Sequence, residues 1–164
     1  MKNQKLFRRQ FFLPLIITLI TVVMIVLGTG NNNLFYISPA NSQILANSDV
    51  WQQVYEKIPD FPKENQFISK TTGQIAANNT LASRLTRYHI YTKGRSPIYR
   101  LDWKLSLADY LGANEPIYTE SYPGNDTLRQ NPLVSDRMAI NKLSRDQRNN
   151  LVQVLVNIFN PVTK

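Results

Sequence analysis

His89 is the single histidine in the chain, and there is no cysteine. One imidazole without thiolates cannot assemble a His or Cys metal cluster, so no metal site and no cofactor is expected. A lone histidine can still act as a general base if a carboxylate orients it and a nucleophile lies within reach. Asp102 is the expected partner carboxylate, and Ser83 and Ser106 qualify as nucleophiles by type alone. Around this pair the sequence carries Arg87, Lys93, Arg95, Arg100 and Lys104. Interleaved with Tyr91 and Tyr99, they form a candidate basic face for an anionic partner.

Two further clusters have chemical potential. Glu115, Glu120 and Asp126 offer oxygen ligands of the kind calcium takes, without a recognisable loop spacing. Tyr110, Tyr118 and Tyr122 could line an aromatic pocket for a small ligand.

Positioning His89 beside Asp102 requires a particular backbone. In "SPIYRLDWKLSL", Tyr99, Leu101, Trp103, Leu105 and Leu107 alternate with Ile98, Arg100, Asp102, Lys104 and Ser106, Ile98 being the one exception on the polar face. That period of two predicts a half-buried strand. Upstream, Thr86, Tyr88, Ile90 and Thr92 alternate with Arg87, His89, Tyr91 and Lys93. Gly94-Arg95-Ser96-Pro97 can close the two runs into an antiparallel hairpin. Matching apolar faces pairs Ile90 with Leu101 and Tyr88 with Trp103, and the opposite face then pairs His89 with Asp102.

Helices are expected on both sides of this hairpin. In "NSDVWQQVYEKIPDFP", Val50, Trp51, Val54, Tyr55 and Ile58 recur at helical spacing, and Pro59 ends the run. Near the C-terminus Ser144 and Gln147 form a capping box ahead of Leu151, Val154, Leu155, Ile158 and Phe159. A shorter helix is expected within "SDRMAINKLS", and short strands around Gln66–Ser69 and Gln74–Ala77. The predicted fold class is α+β, with a central antiparallel hairpin or sheet packed against N- and C-terminal helices.

The stretch "KLFRRQFFLPLIITLITVVMIVLGTGNNN" sets the expected location. Phe11 to Gly28 contains no charge, and as a helix would span about 27 Å, close to a bilayer core. Lys2, Lys5, Arg8 and Arg9 take four of the 19 basic residues, which leaves 15 against 11 acidic ones, a net +4 for the rest. Positive charge on one side only predicts a cytoplasmic N-terminus and an extracytoplasmic domain, periplasmic or thylakoid-lumenal. The expected organisation is a basic flank at 1–10, a membrane anchor or signal sequence at 11–28, a tether at 29–46 and a domain at 47–164. Small residues at Gly28-Thr29-Gly30 and Ser38-Pro39-Ala40 leave cleavage open. A mildly basic domain outside the cytoplasm argues against nucleic acid as a partner. It favours a membrane protein complex or anionic lipid headgroups.

The segments "IPDFPKENQF", "RLTRYHIYTKGRSPIYRLDWKLSLADYLG" and "NNLVQVLVNIFNP" resemble uncharacterised cyanobacterial proteins with a single N-terminal hydrophobic segment. The resemblance covers residues 50–160 and implies a bacterial envelope or thylakoid setting, without transferring a site. The leading functional expectation is a membrane-anchored, extracytoplasmic accessory or interaction protein. Its rivals are an exported hydrolase-like enzyme using His89 with Asp102, and an exported small-ligand-binding domain.

Overall fold

The computed structural model describes residues 47–161. The chain divides into two units, Met1–Ser42 and Gln43–Lys164, and the described residues lie in the second. They form five α-helices: α1 (Asn47–Lys57), α2 (Leu81–Arg87), α3 (Arg100–Tyr110), α4 (Leu133–Lys142) and α5 (Arg145–Phe159). A π-helical turn, Tyr88–Thr92, continues α2, and a 3-10 turn, Thr119–Ser121, interrupts the long connection from α3 to α4.

The α+β expectation is overturned. Among the described residues the β pairings are two isolated bridges, Ile68 with Ile75 and Ser69 with Leu128. Both runs expected to pair as a hairpin are helical, so the cross-strand register falls with the hairpin. The reason lies in composition. From Tyr99 to Tyr110 the sequence "YRLDWKLSLADY" has no β-branched residue and is rich in Leu, Lys, Arg and Ala, which lose little freedom in a helix. Its apolar residues satisfy two periods at once. Trp103, Leu107 and Tyr110 follow i, i+4, i+7, and all three are buried. Leu101 and Leu105, required inward by the strand reading, are 72% and 44% exposed.

Upstream, Thr80 caps α2, its hydroxyl accepting from the Ser83 N–H at 3.2 Å. Leu81, Leu85 and Tyr88 then share one buried face. Gly94, at φ 61°, lies in the loop that leads from the π turn towards α3 rather than in a hairpin turn. The left-handed conformation there favours glycine.

The terminal helices form where their spacing puts them. α5 starts on Ser144, whose hydroxyl accepts from the Gln147 N–H while the Gln147 side chain accepts from the Ser144 N–H. α4 begins after Pro132 and not at Ser135, and Asn131 accepts from the Leu133 N–H at 2.9 Å. One core gathers Val50 and Val54 of α1, Leu81 and Leu85 of α2, Trp103 and Leu107 of α3, and Leu151, Leu155 and Ile158 of α5. α5 packs against both α1 and α3.

A buried ion pair joins α2 to α4. Arg84 donates through Nε and Nη2 to the two carboxylate oxygens of Asp136, each at 2.6 Å, and neither side chain is exposed. Tyr122 donates to the same carboxylate at 2.6 Å, and Tyr110 lies 2.8 Å from the Tyr122 hydroxyl. Burial pushes the Asp136 carboxyl up while the Arg84 fork and Tyr122 pull it back, and Arg84 in turn is held charged by Asp136 against its own burial. A bidentate pair with a third donor is the arrangement that offsets the cost of burying charge.

No helix among the described residues is long and apolar enough to cross a membrane. The basic flank, membrane helix and tether expected at 1–10, 11–28 and 29–46 lie outside those residues, so the described structure lends the membrane-spanning reading no support.

Candidate functional site

His89 sits in the π turn and is fully buried, not on an exposed face. The wider turn carries its ring inward, where it stacks on Trp103 with centroids 3.6 Å apart and planes 7° apart. Nε2 lies 3.1 Å from the Ser96 carbonyl oxygen, so Nε2 carries the proton and donates. Nδ1 therefore accepts, and its donor is the Ser106 hydroxyl at 2.8 Å. Ser106 in turn accepts from Arg95 at 2.9 Å.

Asp102 does not meet His89 directly. It accepts from the Ser96 backbone N–H at 3.2 Å, which makes Ser96 the bridge between the two expected partners. Burial lowers the His89 pKa to about 4, and the Arg95 charge adds to the drop. An exposed His89–Asp102 pair would have raised it, so the cross-strand pairing is corrected on this point also.

Ser106 and His89 thus form a serine–histidine contact of the kind a hydrolase uses, but with the wrong surroundings. Both are without exposed surface. A histidine titrating near 4 is also a weak base at neutral pH. Ser83, the other candidate nucleophile, donates its backbone N–H to the Thr80 cap and is separate from the His89 cluster. The contact belongs to a packed polar network. Arg95 also donates to Asp109 at 2.5 Å, and Tyr88 donates to the same oxygen at 2.9 Å. Burial alone would raise the Asp109 pKa. Arg95, the Glu115 backbone N–H, Asn114 and Tyr88 together outweigh it and hold Asp109 below its ordinary value.

The five candidate basic residues do not share a face. Arg95 is spent inside this network, and Lys93 pairs with Glu115 at 2.6 Å. Arg87 is half-buried against Asn79, with its Nε buried and without a partner. Only Arg100 and Lys104 remain exposed, on the outer side of α3. Of the tyrosines, Tyr110 and Tyr122 are core and Tyr118 is exposed. Glu115 is engaged by Lys93 and Arg95, and no metal-holding cluster occurs among the described residues.

Lys104 nevertheless marks a site. It lines a groove of about 430 Å³ between α3 and α5. The floor is apolar, from Leu107 and Ala108 of α3, Leu111 just past its end, and Val152 of α5. The rim is cationic, with Lys104 joined by Arg145, Arg148 and the neutral Asn149. No described carboxylate lines it, and none of the three cations makes an ion pair with a described residue. The Arg148 guanidinium donates to the Leu143 carbonyl oxygen, which anchors it at the start of α5. A second depression of about 360 Å³ sets Arg87 among Glu120 and Asp126 and so has mixed charge.

Arg145 and Arg148 belong to no motif or recognisable spacing in the sequence. One signal was available: both stand in the first turns of α5, where the helix dipole disfavours positive charge. Residues that work against their local setting often serve a site.

Compared with family models, with curated proteins and with solved structures, the chain finds no match.

Proposed function

We propose that this chain is a non-enzymatic accessory protein that works by docking an acidic partner, and that the α3–α5 groove is its docking surface. The observation that carries the reading is the pairing of an apolar floor with a rim of three cations that no described carboxylate neutralises. Apolar contact supplies affinity in such a groove, while the charged rim steers encounter and selects against basic partners. The buried Ser106–His89 contact favours docking over the hydrolase alternative, because neither side chain presents surface to a substrate. The positives ahead of the uncharged run at 11–28 favour an extracytoplasmic setting, and that part of the reading rests on the sequence alone.

The test is affinity capture with the full chain and with Lys104→Glu/Arg145→Glu, both positions being exposed. We expect wild type to retain a partner at low salt and to lose much of it as salt rises. The double variant should fold normally and lose the partner. Capture by the double variant as good as by wild type would refute the groove as the docking surface.

A further inference from the structure

We propose that the partner element is an acidic amphipathic helix that packs along the outer face of α3; the inference rests on the docking reading above. Leu101, Lys104, Leu105 and Ala108 follow i, i+3, i+4, i+7, the stripe by which one helix packs against another. α3 already satisfies its core with a different set, Trp103, Leu107 and Tyr110, all buried. It therefore carries a second stripe that no described element covers. Leu101 and Leu105 are 72% and 44% exposed, and Ile98 and Tyr99, at 41% and 60%, extend the apolar surface beyond the start of the helix.

Shape and charge choose among the possible occupants. The groove is a shallow trough between two helices, floored by the half-buried Ala108 and Leu111, with Leu107 and Val152 buried beneath them. A third helix can seat its side chains there, as ridges enter grooves in helix packing. A flat lipid surface would rest on Leu101 and Leu105 without reaching that floor. A second copy of this chain would bring Arg100, Lys104, Arg145 and Arg148 against their equivalents, and like charges across an interface are costly. Carboxylates flanking an apolar stripe complement both the rim and the floor.

The test places a photo-crosslinker on the stripe of the full chain, as Leu101→p-benzoylphenylalanine and Leu105→p-benzoylphenylalanine, in the cells that produce it. We expect adducts to a segment of another protein in which Asp and Glu flank apolar residues at helical spacing. Leu101→Ser/Leu105→Ser should weaken capture by on the order of tenfold or more, with the fold retained because both side chains are exposed. Adducts to lipid alone or to a second copy, or none while capture persists, would overturn the helix and leave groove docking standing. If wild type captures no partner, or if Lys104→Glu/Arg145→Glu captures as well as wild type, the docking reading fails and this inference fails with it.

Discussion

Burying an imidazole between Trp103, Ser106 and the Ser96 carbonyl has a consequence in pH. The His89 pKa falls from an ordinary value of 6.5 to about 4. Between those values the unfolded chain binds a proton that the folded one excludes, so stability rises with pH across the window. It is fully present above about 6.5 and is lost as pH falls towards 4. At about 1.4 kcal/mol per pH unit, the separation is worth on the order of 3 kcal/mol. We expect the melting temperature to drop between pH 6.5 and 4.5, above the range in which Asp109 protonates. His89→Gln should be less stable at neutral pH but flatter across the same window. The same pH dependence in wild type and His89→Gln would contradict a buried neutral His89, because that comparison cancels the opposing contribution of Asp136, whose carboxyl burial holds above its ordinary value. The sequence made His89 and Asp102 conspicuous but not their environment. Depth of burial depends on which way the π turn carries the ring, and nothing in "RYHIYT" distinguishes that turn from a strand.

At the scale of elements, α5 was legible and α3 was not. The difference is ambiguity of period. Leu151, Leu155 and Ile158 fit only a helix, and the Ser144–Gln147 box marks where it starts. In α3 the residues Leu101 and Leu105 complete a false alternation, because they are apolar without being core. The absence of any β-branched residue from Tyr99 to Tyr110 was the signal that weighed against a strand. The Thr80 cap was a second signal, for α2. Leu155 is fully buried at the centre of the α5 face. We expect Leu155→Asp to cost several kcal/mol, since an unpaired charge would enter the core. Chemical denaturation reads this directly, and a midpoint within error of wild type would show that α5 is not core.

Across the whole molecule, the sequence placed basic residues together by assuming a sheet, whereas the helical fold disperses them. Arg95 and Lys93 form internal pairs, Arg87 turns inward, and Lys104 finds new neighbours, Arg145 and Arg148, more than forty positions away along the chain. No spacing rule connects residues so far apart before the packing of α3 on α5 is known. The apolar surplus on α3 misled the strand reading, and the same surplus is what the docking proposal explains. The most direct measurement is hydroxyl-radical footprinting of the full chain with and without its captured partner. Oxidation at Leu111 in the groove and at Leu101 and Leu105 on the adjoining stripe should fall when the partner is bound, while the exposed Ile75, Val134 and Met138 stay unchanged. Protection centred instead on Tyr91, beside the Arg87 depression, or on Val134 and Met138 of α4, would contradict the α3–α5 groove as the working surface of this protein.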